Sequence, residues 1–160
     1  MARLYSEDQE NSSSLELLAG SFSQPEPAAG GELWQAVDLI LLSGHRKLEL
    51  RSGVDGAENC LICRRPEDEA GKLVRLLSEL LNKQRHRVLF EPAEPSFELS
   101  LERTREGGIK VEAWIDCANS STGFYGWDAA GIRFYTQDEQ LDSFLKQLRI
   151  ELAAPDATNR

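Results

Sequence analysis

The chain has 160 residues, 27 acidic against 18 basic, and a formal net charge of −9. Its 41% hydrophobic and 28% charged content is ordinary for a folded soluble domain, and its length lets one domain bury a core without metal or disulfide support. The acid excess argues against a nucleic-acid binder, which needs a basic face to displace counterions from phosphates, and it suits solubility and steering toward a basic partner.

The opening stretch is polar, with Ser6-Glu7-Asp8-Gln9-Glu10-Asn11-Ser12-Ser13 in it, and residues 1–13 read as a flexible tail. It has no apolar run of the kind a secretory leader carries. Residues 14–22 read as a first strand. Pro25, Pro27, Gly30 and Gly31 then break regular structure. Residues 33–42 are apolar and rich in β-formers, but too short a run to span a bilayer. After a turn at Ser43-Gly44-His45, Lys47-Leu48-Glu49-Leu50-Arg51 alternates as a half-buried strand. Residues 58–64 supply a fourth strand.

Arg65-Pro66-Glu67-Asp68-Glu69 has the chemistry of a helix start: proline is tolerated in the first turn and acids favour the positive end of the dipole. Leu73, Leu76, Leu77, Leu80 and Leu81 form one apolar stripe at helical spacing, and Lys83, Arg85 and Arg87 suit the C-terminal end. Residues 88–90 are short and apolar. Residues 97–102 and 109–116 both alternate, and Glu106-Gly107-Gly108 between them is a hairpin turn. Residues 131–135 read as a further strand. Thr136-Gln137-Asp138-Glu139 has the form of a capping box, and Leu141, Phe144, Leu145 and Leu148 make the buried stripe of a second helix. The expected fold class is α+β: an antiparallel meandering β-sheet with two helices packed on one face, in a single domain over 14–152 with a second flexible tail over 153–160.

No catalytic set is legible. Cys60-Leu61-Ile62-Cys63 has C-x-x-C spacing, but in a strand its thiols point to opposite faces, and a zinc site lacks two further ligands. The third cysteine, Cys117, stands apart, and all three thiols read as free, as in a reducing cytoplasm. The two histidines, His45 and His86, both sit beside basic residues, with no acid and nucleophile placed to form a catalytic set with either. No metal, cofactor or catalytic residue is expected.

What remains is surface chemistry. If residues 97–102 and 109–116 pair through the Gly107-Gly108 turn, one face of the sheet carries Glu98, Glu102, Glu112, Trp114 and Asp116. This is either a plain solvated face or an acidic interface with an aromatic anchor. Gly123-Phe124-Tyr125-Gly126-Trp127-Asp128 puts three aromatics between glycines, and two roles fit: a cap folded over the sheet end, or a recognition loop.

Phe97-Glu98-Leu99, Glu112-Ala113-Trp114-Ile115-Asp116, Tyr125-Gly126 and Ile132-Arg133-Phe134-Tyr135-Thr136, followed by Leu141 and Phe144, resemble small bacterial proteins grouped with the WapI-type immunity proteins. The similarity in layout extends over most of residues 14–150. It implies strands, a helix with an L-x-x-F/L pattern, more strands and a closing helix. It also implies a cytosolic, non-enzymatic antitoxin that binds and occludes the domain of a cognate toxin. The expected contact residues are Glu112, Trp114, Asp116, Tyr125, Trp127 and Asp128, with Glu67, Asp68 and Glu69 as a second patch. The expected partner is a basic protein domain, with no role for nucleic acid or membrane, and the protein itself is a monomer or homodimer. The alternatives are a homo-oligomeric or adaptor domain whose aromatic loop packs on its own copy, and a small-ligand binder or enzyme with a pocket beside Tyr125 and Trp127.

Overall fold

A computed structural model describes residues 1–7, 12–23, 34–51, 59–63, 68–93, 96–116 and 129–153. In chain order the elements are β1 (Ala2–Tyr5), β2 (Ser13–Ser23), β3 (Trp34–Ser43), β4 (Arg46–Leu50), β5 (Cys60–Ile62), α1 (Glu69–Leu81), β6 (Arg87–Phe90), β7 (Phe97–Arg103), β8 (Ile109–Asp116), β9 (Ala129–Thr136) and α2 (Asp138–Glu151). The class is α+β and every pairing is antiparallel, as expected. The meander is divided into two sheets. The first has the order β1-β2-β3-β4, with β5 also on β3, and the second the order β6-β7-β8-β9.

Period-two patterning decides which side of each sheet is buried. In the first sheet Leu4, Leu15, Leu41 and Leu48 lie in one cross-strand row, and Ala2, Leu17, Leu39 and Leu50 in the next. In the second, Val88, Leu101, Val111 and Phe134 form one row, and Phe90, Leu99, Ala113 and Ile132 another. These rows join the apolar stripes of both helices in a single core. Each fully buried Leu or Phe contributes about 1.5–3 kcal/mol of transfer free energy, so the core is where the stability of this fold resides. Helix α1 packs against β5, β6 and α2, while α2 packs against β1 and β2. The helices therefore span the two sheets.

The flexible tail expected over 1–13 is corrected at its start. Ala2–Tyr5 is a strand, with Ala2 and Leu4 buried in the core. It is held from two sides: by β2 through its ladder, and by β9, where Glu7 N donates to Tyr135 O at 2.8 Å and Thr136 Oγ1 donates to Tyr5 O at 2.7 Å. That second bond also overturns the capping box. Thr136 is the last residue of β9, its side chain points inward, and its hydroxyl is committed to β1. The N-cap of α2 is Gln137, which makes no side-chain cap bond.

The basic residues expected to finish α1 do not do so: none lies in its last turn, and Arg87 already belongs to β6. The helix stops as Lys83 turns into the left-handed region at φ 60°. Its last carbonyls are met from β7 as well as from the backbone. Arg103 donates to Leu80 O from Nε at 3.0 Å, to Leu81 O at 3.1 Å, and to the Asp138 carboxylate of α2 at 2.7 Å. A charge-assisted donor at a helix C-terminus satisfies both the open carbonyls and the dipole.

Candidate functional site

The expected surface residues divide into three groups. Glu112, Trp114 and Asp116 alternate with buried Val111, Ala113 and Ile115 on β8, which places all three on the outer face of the second sheet. The register fixes their neighbours: Trp114 lies opposite Glu98 on β7 and Gly131 on β9, and Glu112 lies opposite Ser100 and Arg133. Tyr125, Trp127, Asp128 and Glu67 lie outside the described residues.

The second patch does not survive in its expected form. Asp68 is exposed, but it is the N-cap of α1, accepting the Gly71 amide at 2.8 Å. Glu69 is buried at 3% exposure, its two carboxylate oxygens accepting the amides of Ile62 at 2.9 Å and Ala93 at 2.5 Å. It ties β5 to the segment after β6. A carboxylate spent on two backbone amides in the core is not available to a partner.

Trp114 owes its placement to Gly131. A Cβ at position 131 would stand 2.6 Å from Trp114 Cε3 and 2.2 Å from the Ala113 carbonyl oxygen. The indole thus lies across β9 in space that a side chain would otherwise fill, a cross-strand aromatic–glycine pair. It is half-buried.

The acids around it are not a bare negative patch. Glu112 takes Arg133 Nη2 at 2.5 Å and Lys110 at 3.4 Å, and Lys110 also reaches Glu102 at 3.3 Å. Burial pushes the Glu112 carboxyl pKa up, but hydrogen bonds from Arg133 and Lys110 outweigh this and hold it below the usual carboxylate range. The face is a lattice of alternating charge around an indole. Sequence alternation turns the carboxylates, Lys110 and Arg133 outward on their strands, but only the β8–β9 register brings Arg133 opposite Glu112.

Tyr135, 52% exposed on β9, is a surface residue outside the expected contact set. Two shallow hollows flank it. One, of about 320 Å³, is lined by Glu7, Thr104, Glu106 and Gln137; the other, of about 460 Å³, by Ser6, Ser13, Ser43 and Arg133. The alternation of residues 131–135 carries the signal, since it turns Arg133 and Tyr135 to the face opposite Ile132 and Phe134.

The C-x-x-C pair is not a disulfide: Cys60 is a buried thiol, and Cys63 is a half-buried thiol whose sulfur lies 3.5 Å from Gln35 Oε1. Burial, then the charges of Asp68 and Glu69, push the Cys63 thiol up to about 11. Among the described residues no group of three or more His, Cys, Asp or Glu side chains is arranged to hold a metal ion. Among the same residues no helix is long and apolar enough to cross a membrane. Comparison with known protein families, with characterised proteins and with solved structures finds no match to this chain.

Proposed function

We propose that this protein is a non-enzymatic binding domain of the immunity type, a cytoplasmic antitoxin that holds a toxin domain against the outer face of its second sheet and occludes it. The observation that carries this reading is the Trp114–Gly131 pair: a large aromatic laid flat on the sheet, ringed by Glu98, Glu112 and Arg133. Aromatic anchors inside a charged rim are where interfaces concentrate their binding energy. The ion-pair lattice fixes register with a partner of complementary pattern, and the net charge of −9 speeds encounter with a basic one at low salt. Tyr125, Trp127 and Asp128, in the sequence between β8 and β9, belong to the same proposal as further contact residues.

Co-expression tests the proposal. The toxin domain recovered with the tagged protein should arrest cells alone and not in the presence of the wild-type protein. Trp114→Ala with Glu112→Gln should abolish protection while circular dichroism shows the fold retained at a lowered melting temperature, and Trp127→Ala with Asp128→Ala should weaken it. Protection unaffected by both pairs of substitutions, or recovery of the protein alone at any salt concentration, would end the proposal.

A further inference from the structure

The second sheet ends at β6, and the phase of its hydrogen bonds shows which backbone groups that edge presents. In an antiparallel ladder alternate residues point their N–H and C=O toward the neighbouring strand and away from it. Arg103 N donates to His86 O at 3.0 Å, one step beyond the Arg87–Glu102 pair, so positions 86, 88 and 90 face β7. The same phase holds across the sheet, where Thr104 N donates to Gly108 O and Asp116 N to Ser96 O. The N–H and C=O of Arg87 and Leu89 therefore point out of the sheet, and among the described residues no hydrogen bond reaches them.

Other edges are guarded, or occupied in part. On β1, Arg3 N donates to Gln147 of α2 at 3.1 Å; on β9, Tyr135 O is taken by Glu7. On β5, Ile62 N is taken by Glu69. The edge strand β4 carries Arg46, Lys47 and Glu49, the charge dressing that discourages edge-to-edge pairing. By contrast β6 has no proline and no inward charge, and it shows Leu89 at 51% exposure in its middle.

Exposed Arg87 and Glu91 stand on either side of Leu89, and among the described residues neither takes an ion pair. This spacing is self-complementary. If a second copy lies antiparallel with a two-fold axis at Leu89, Leu89 meets Leu89, and Arg87 meets Glu91 of the second copy on both sides of the axis. The outward-pointing backbone groups of position 89 then face each other, as a hydrogen-bonded pair requires. Val88 and Phe90, both 1% exposed, stay under the sheet in each copy.

We propose that two copies of this protein pair β6 against β6 in this register, doubling the second sheet across a two-fold axis. The association rests on a short strand and two exposed ion pairs, so it is of the weak, concentration-dependent kind, with a dissociation constant of about 10 µM to 1 mM. The inference does not depend on the toxin reading and does not use Trp114.

Sedimentation velocity of the full chain from about 10 µM to 1 mM tests it, alongside amide exchange at Leu89, over the range in which such a dimer forms. Mass should rise toward the dimer, and the Leu89 amide should slow in step. Glu91→Arg sets like charges opposite each other and should raise the dissociation constant at least about tenfold. Arg87→Glu with Glu91→Arg restores opposite charges and should recover the wild-type constant. Both positions are exposed, and circular dichroism with the melting temperature confirms that each variant is folded. A monomer at every concentration, a dimer indifferent to Glu91→Arg, or a double variant no better than the single would each overturn the proposal.

Discussion

Replacing Gly131 with alanine tests the geometry of the candidate surface most directly. The new Cβ would sit 2.2 Å from Ala113 O and 2.6 and 2.8 Å from two indole carbons of Trp114. The two obstacles differ in kind. The indole can swing aside, but the Ala113 carbonyl is backbone in the β8–β9 ladder. The strands must separate by about 0.8 Å before that contact reaches 3.0 Å, which no rotamer change supplies. Overpacking of this kind costs about 1–3 kcal/mol, and backbone displacement puts Gly131→Ala at the upper end. For a chain of this length that lowers the melting temperature by about 5–10 °C. Thermal and urea unfolding followed by circular dichroism measure it, and Trp114→Ala serves as the second arm of a cycle. Removing the indole should relieve part of the Gly131→Ala cost and leave the carbonyl part. A loss below about 0.5 kcal/mol, or complete rescue by Trp114→Ala, would refute the argument that the ladder itself requires the glycine.

Further outcomes follow from other parts of the structure. Glu69→Gln leaves one oxygen for two buried amides and turns an NH₂ toward the other, so urea unfolding should show a loss of about 2–3 kcal/mol. The carboxyl of Glu112 is depressed in the folded state, so its contribution is present above the ordinary carboxylate pKa of 4.5 and lost as pH falls through the folded value. Melting temperatures measured from about pH 6 to pH 3 should therefore fall less steeply in Glu112→Gln than in wild type. With its thiol pushed up to about 11, Cys63 should react with iodoacetamide at pH 8 at least about tenfold more slowly than in the unfolded chain, read by mass mapping of the labelled peptides.

The parts of this fold that depend on local pattern were legible in the sequence. Strict alternation over residues 109–116 defines β8 and its buried face, and the spacing of Leu73, Leu76, Leu77 and Leu80 defines the buried stripe of α1. What failed were residues whose roles are set by distant partners. Ala2–Tyr5 is too short and too close to a polar run to signal a strand, and it becomes one because β2 and β9 both bind it. Glu69 has the expected chemistry for a first helical turn, and only the amides of Ile62 and Ala93 make it a buried tie. Thr136 reads as a cap until the Tyr5 carbonyl is placed beside it. At the candidate surface, alternation put Glu112, Trp114 and Asp116 on one face, whereas the compensating Arg133 and the space above Gly131 came from cross-strand register.

The bond from Thr136 to Tyr5 spans 131 positions of sequence, and it bears on the order in which the chain can fold. Among these elements β1 precedes all the others in synthesis, yet two of its three partners, β9 and α2, are made last. Until they emerge, β1 has only its ladder with β2, and the buried side of Ala2 and Leu4 has no α2 above it. Closure of the domain is therefore a late, long-range event whose loop entropy must be met before the contacts repay it. A nascent or truncated chain lacking residues 129–152 would present the first sheet with its core face open, the species on which chaperones act and from which aggregation begins.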